Sequence, residues 1–77
     1  MRDDDIKMRP IVTLWRLVWN DDLVSCAVYR DGRRLQLRLE SPTAVILALP
    51  FELQPRMFAR TQLLRESLER RGWSPVP

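Results

Sequence analysis

From Leu23 to Glu40, apolar and polar side chains alternate with a period of two on either side of Arg30-Asp31-Gly32-Arg33. This is the pattern of a half-buried strand. An Asp-Gly pair between two such runs signals a two-residue hairpin of type I′, in which both central residues take positive φ. Centring the turn on Asp31-Gly32 sets Arg30 opposite Arg33, Tyr29 opposite Arg34, Val28 opposite Leu35 and Cys26 opposite Leu37. One face then carries Val24, Cys26, Val28, Leu35, Leu37 and Leu39, and the other Ser25, Ala27, Tyr29, Arg34, Gln36 and Arg38. The first is the expected core face.

Ile11 to Asn20 fits two periods. Wound as a helix, it lines up Ile11, Leu14, Trp15, Val18 and Trp19 on one stripe. Its Ile, Val, Thr and Trp residues suit a pleated surface better, and Arg9 is a poor N-cap. A turn at Asp21-Asp22 sets Trp19 opposite Val24, Leu17 opposite Cys26 and Trp15 opposite Val28, so that all three join the core face. A strand is therefore expected.

Ser41-Pro42-Thr43 ends the third strand, and Ala44 to Leu49 reads as a fourth, apolar on both faces. Two registers are open for it, one with Ile46 beside Leu37 and one with Val45, Leu47 and Leu49 inward. A helix from Pro55 to Arg71 follows, with Pro at its first position and Gly72 just past its end. Met57, Thr61, Leu64 and Leu68 form its inner stripe, Phe58 and Leu63 its flanks, and Arg65 is spaced to pair with Glu69. Trp73 falls where a Schellman motif brings it onto Leu68. The expected architecture is α+β: an antiparallel meander of three or four strands with one C-terminal helix packed on one face. Residues 11–73 form the domain, between flexible tails at 1–10 and 74–77.

Trp15, the segment from Cys26 to Tyr29-Arg30, Leu35-Gln36-Leu37-Arg38-Leu39 and the ending Arg71-Gly72-Trp73 together resemble a loose group of small uncharacterised bacterial proteins. Their build is a strand meander followed by one helix ending in Gly-Trp. The resemblance covers Trp15 to Trp73, rests on core and turn positions, and implies a fold without an activity. The strand order is also similar to the second half of a double-stranded-RNA-binding domain. The chain departs from that family in its leading segment and in lacking a Lys-rich start to the final helix.

Seventy-seven residues allow one domain with little room for an enclosed active site. Cys26 stands alone, so no internal disulfide forms and a reducing compartment fits. The early Asp3-Asp4-Asp5 opposes the basic start of a signal peptide, and no apolar run could span a membrane. A cytoplasmic protein is expected. The chain has no histidine, which removes the commonest general base and metal ligand, and it has no glycine loop, paired cysteines or nucleophile elbow. Asp21-Asp22 reads as a turn former. Neither catalysis, a cofactor, a metal site nor a small-molecule substrate is expected.

Two surfaces remain. Every cation except Lys7 is arginine, and the net charge is +3. Arg16, Arg34 and Arg38 around Tyr29 and Gln36 could hold phosphates and stack a base of RNA or single-stranded DNA on the outer sheet face. Leu14 and Val18 on that face, with Val45, Ile46 and Leu47 on the fourth strand, offer surplus apolar surface for a protein partner or a second copy. Association of this second kind is the preferred reading, and nucleic-acid binding is the alternative.

Overall fold

A computed structural model describes residues 9–77. Five strands and one helix follow in order: β1 (Val12–Trp19), β2 (Asp22–Asp31), β3 (Arg34–Glu40), β4 (Val45–Phe51), α1 (Pro55–Arg70) and β5 (Ser74–Pro75). All pairings are antiparallel, and the strands lie in the order β4-β3-β2-β1-β5. The α+β meander with a C-terminal helix is thus the fold, and Ile11 to Asn20 is strand apart from its ends. The last residues are not simply a tail: Ser74 and Pro75 pair with Val18 and Leu17, and the Val76 amide donates to the Arg16 carbonyl at 3.1 Å. Most of the expected leading tail, residues 1–8, lies outside the described residues.

Both hairpins turn one residue away from their expected centres. In β2–β3 the turn is Gly32-Arg33, which pairs Asp31 with Arg34, Tyr29 with Gln36, Val28 with Leu37 and Cys26 with Leu39. Gly32 takes φ +65 while Arg33 keeps negative φ, so only one residue bears the left-handed conformation. This is the pattern with Gly at the first central position rather than type I′. It sets Asp31 across from Arg34, where the expected register would have faced Arg30 with Arg33, a like-charge pair. In β1–β2 the turn is Asn20-Asp21, with Trp19 opposite Asp22 and Leu17 opposite Val24. Asn20 carries the positive φ of 55, which Asn tolerates better than most residues. Each register moves by two residues, and a period of two keeps the side chains from Trp15 to Glu40 on their expected faces.

β1 then departs from regular pairing. Trp15 is opposite Cys26 but Thr13 is opposite Ala27, which leaves Leu14 as the extra residue of a bulge. The bulge turns Leu14 onto the core instead of the outer face where the alternation had placed it. A second irregularity, between Leu39 and Glu40, settles the β4 register. Leu47 faces Leu39 and Leu49 faces Leu37, while Val45 faces Glu40 and is outward. Ser41 shapes that connection, accepting the Thr43 and Ala44 amides on its hydroxyl at 3.3 and 3.2 Å.

The core lies between the sheet and α1. Leu17 and Cys26 are fully buried, with Trp15, Val24, Val28, Leu37 and Phe51 around them and Met57, Leu64 and Leu68 packed from the helix. Burial raises the Cys26 thiol to about 11, as expected of a small apolar core residue. Thr61 is the buried polar residue of the helix stripe, and its hydroxyl donates to the Phe58 carbonyl at 2.8 Å. Phe58 meets Phe51 edge-on at 5.4 Å between centroids, whereas Leu63 does not pack as a flank and is 64% exposed. Arg65 and Glu69 pair at 3.2 Å.

The helix closes as its sequence requires. The Gly72 amide donates to the Glu69 carbonyl and the Trp73 amide to the Leu68 carbonyl, the two bonds of a Schellman motif. Gly72 has φ +112, and a β-carbon there would sit 3.4 Å from the Trp19 indole nitrogen. Trp19 and Trp73 are themselves in contact, at 5.9 Å between ring centroids.

Two stability outcomes follow. Trp73→Ala removes both the cap contact and the Trp19 contact and lowers stability by about 1–3 kcal/mol. An unchanged urea midpoint would refute the capping role. Gly32→Val lowers stability more than Gly32→Asn, by about 1–2 kcal/mol, read from the urea midpoints. Space is not the reason, since nothing lies within 4 Å of a β-carbon at Gly32.

Candidate functional site

Among the described residues no helix lies over the outer sheet face, yet Ala27 and Tyr29 on it are 2% and 6% exposed. Side-chain geometry supplies the cover. Tyr29 stands opposite Gln36, but its hydroxyl donates to the Glu40 carboxylate four positions further along β3. Its ring therefore runs along the sheet above the Ala27–Arg38 pair. Ala27 is small enough to admit it. The Arg38 guanidinium lies over the ring, 4.4 Å from its centroid, and donates through Nε to Gln36 Oε1 at 2.6 Å.

This network is neutral within itself, an arginine against a carboxylate with a phenol and an amide between them. Burial is the main cause that raises Tyr29 to about 12, and the Glu40 hydrogen bond and negative charge act in the same direction. Arg38 opposes them. The phenol is thus held neutral as a donor.

Of the five residues expected to form a basic face, the structure brings together Tyr29, Gln36 and Arg38. Arg34 is exposed beside the turn, opposite Asp31, and Arg16 is exposed on β1, opposite Ser25. Both faces of the Tyr29 ring are committed, one to the sheet and one to Arg38, so it presents no open platform for a base. Glu40 completes the network and was missed, although the alternation puts it on the same face as Gln36 and Arg38. Only the shifted register brings it within reach of Tyr29.

The apolar set separates as well. Leu14 packs on the core through the bulge, and Val18 is half-buried between β2 and β5. Val45, Ile46 and Leu47 remain open, 49%, 59% and 40% exposed, on a strand at the edge of the sheet. Between β4 and α1 a cavity of about 190 Å³ is lined by Leu37, Leu47, Leu49, Met57, Arg60, Thr61 and Leu64.

No protein-family model, no curated protein and no solved structure matches this chain. Among the described residues no helix is long and apolar enough to cross a membrane, and no three His, Cys, Asp or Glu residues are grouped to hold a metal ion.

Tyr29 is the only tyrosine, so ultraviolet titration of tyrosinate reads it directly. Its midpoint is expected near 12 and falls in Glu40→Gln by the smaller part that Glu40 contributes, while burial keeps it above the ordinary value. Because folding raises this pKa, the contribution to stability is complete below about 10 and is lost as pH rises through 10 to 12. Tyr29→Phe therefore loses that part of the alkaline destabilisation. A wild-type midpoint at the ordinary value would refute the network.

Proposed function

We propose that this protein is a small non-enzymatic association module that pairs β4 with β4 of a second copy. The observation that carries this reading is the contrast between the two edges of the sheet. On the β1 side the edge is interrupted by the Leu14 bulge and closed by the short, proline-containing β5. Bulges, prolines and short strands are the devices that discourage edge pairing. The β4 side has its own irregularity at Ile46 and Pro50 near its end, but Val45 to Leu49 carries no charge, is largely exposed and has no further strand beside it among the described residues.

An edge that pairs with its own copy must be complementary to itself under a two-fold axis. Val45-Ile46-Leu47-Ala48-Leu49 meets that condition, since no charge in it can oppose its own counterpart. Pairing would continue the sheet through two protomers, satisfy the free backbone groups of β4 and remove apolar surface from water. The basic-face alternative is less well supported, because Tyr29 and Arg38 are already engaged with each other and with Glu40 and Gln36.

Sedimentation over a range of concentrations tests the reading. The wild type is expected to shift to a dimer, and Val45→Lys with Leu47→Lys to stay monomeric with unchanged circular dichroism. A wild type that remains monomeric up to high micromolar concentration would overturn it. So would a double variant that still dimerises.

A further inference from the structure

A larger cavity, about 480 Å³, opens at the far end of the sheet, where the β1–β2 turn, the β3–β4 connection and the end of α1 converge. Its volume falls in the range of small-molecule sites. Leu23, Val24, Leu39, Ile46 and Leu68 make its apolar walls. Trp73 lies along one side, where the Schellman motif and the Trp19 contact hold the indole. Asp21 and Asp22, both exposed, stand at the rim.

The charge of the site differs from that of the molecule around it. The chain is net positive, but the ionisable groups lining this cavity are two carboxylates and no cation. Arg70 and Arg71, at the helix end, are not among its walls. The C-terminal turn of α1, to which Leu68 belongs, adds the negative end of a helix dipole. An indole beside carboxylates also favours a cation by its ring quadrupole. Apolar walls, an aromatic side and a doubly acidic rim together suit an alkyl or aryl group that ends in a positive charge.

We propose that this cavity binds a small hydrophobic organic cation, with the apolar group against Leu39, Ile46 and Leu68 and the cationic end toward Asp21 and Asp22. The site lies on the helix side of the sheet and takes one wall, Ile46, from β4, and its lining is complete within one copy of the chain.

The test uses n-hexyltrimethylammonium, with hexanol and hexanoate as neutral and anionic counterparts, titrated into the full chain and followed by amide and indole NMR shifts. The cation is expected to give saturable shifts at Ser41, Thr43, Leu68 and the Trp73 indole, and to bind at least about fivefold more tightly than hexanoate. Asp21→Asn with Asp22→Asn should weaken the cation by roughly fivefold while leaving hexanol unchanged. Asp22→Lys should narrow or reverse the preference over hexanoate. Equal affinity for all three probes, shifts that map elsewhere, or a double Asn variant that binds the cation as the wild type does would each overturn the proposal.

Discussion

Burial of the inner face of β2 is the constraint on which the rest of the structure depends. β2 is the middle strand of five, and Val24, Cys26 and Val28 on it are covered on the same side by α1 and bordered by Leu17 and Trp15 from β1 and Leu37 from β3. A slip of one residue in either hairpin would turn a whole neighbouring strand outward. A slip of two does not, and both hairpins adopt one. The buried face thus tolerates the choice between these registers, and local turn chemistry makes it: Gly32 and Asn20 are the residues that best accept positive φ where the chain reverses.

The second face of the sheet shows how a small domain can cover itself without a second helix. Tyr29 lies along the strands, and Arg38 closes over it, so an aromatic ring and an alanine leave solvent under the side chains of the same two strands. Every polar tip in this arrangement has a partner: the phenol and Glu40, the guanidinium and Gln36. Arginine suits this place because its planar, weakly hydrated head can stack on a ring and donate a hydrogen bond at once. The same engagement satisfies Arg38 and Tyr29 within the sheet.

The two edges of the sheet are managed unequally. Leu14 is the extra residue that bends β1, and the chain returns after α1 to lay Ser74 and Pro75 beside it. That return is possible because Gly72 reverses the chain at the helix end and Trp73 seats against Trp19, bringing the last residues to the outer side of β1. Among the described residues no comparable element reaches β4, whose open backbone edge and exposed Val45, Ile46 and Leu47 motivate the proposed self-pairing.

By itself, the order of apolar and polar residues determined that the first four strands are strands, which side chains of β2 and β3 share a face, and where the helix begins and ends. Those properties follow from period, turn residues and caps, all of which act over a few neighbouring positions. Tertiary structure decided the rest. Leu14 and Ile46 are the extra residues where the pairing of neighbouring strands shifts register, which a strict alternation cannot show. Ser74 and Pro75 become a strand only because Trp73 packs across the molecule onto Trp19. Glu40 joins Tyr29 only in the register shifted by two. The acidic, tryptophan-sided cavity draws its walls from separate segments of the chain, so no local run of residues could announce it.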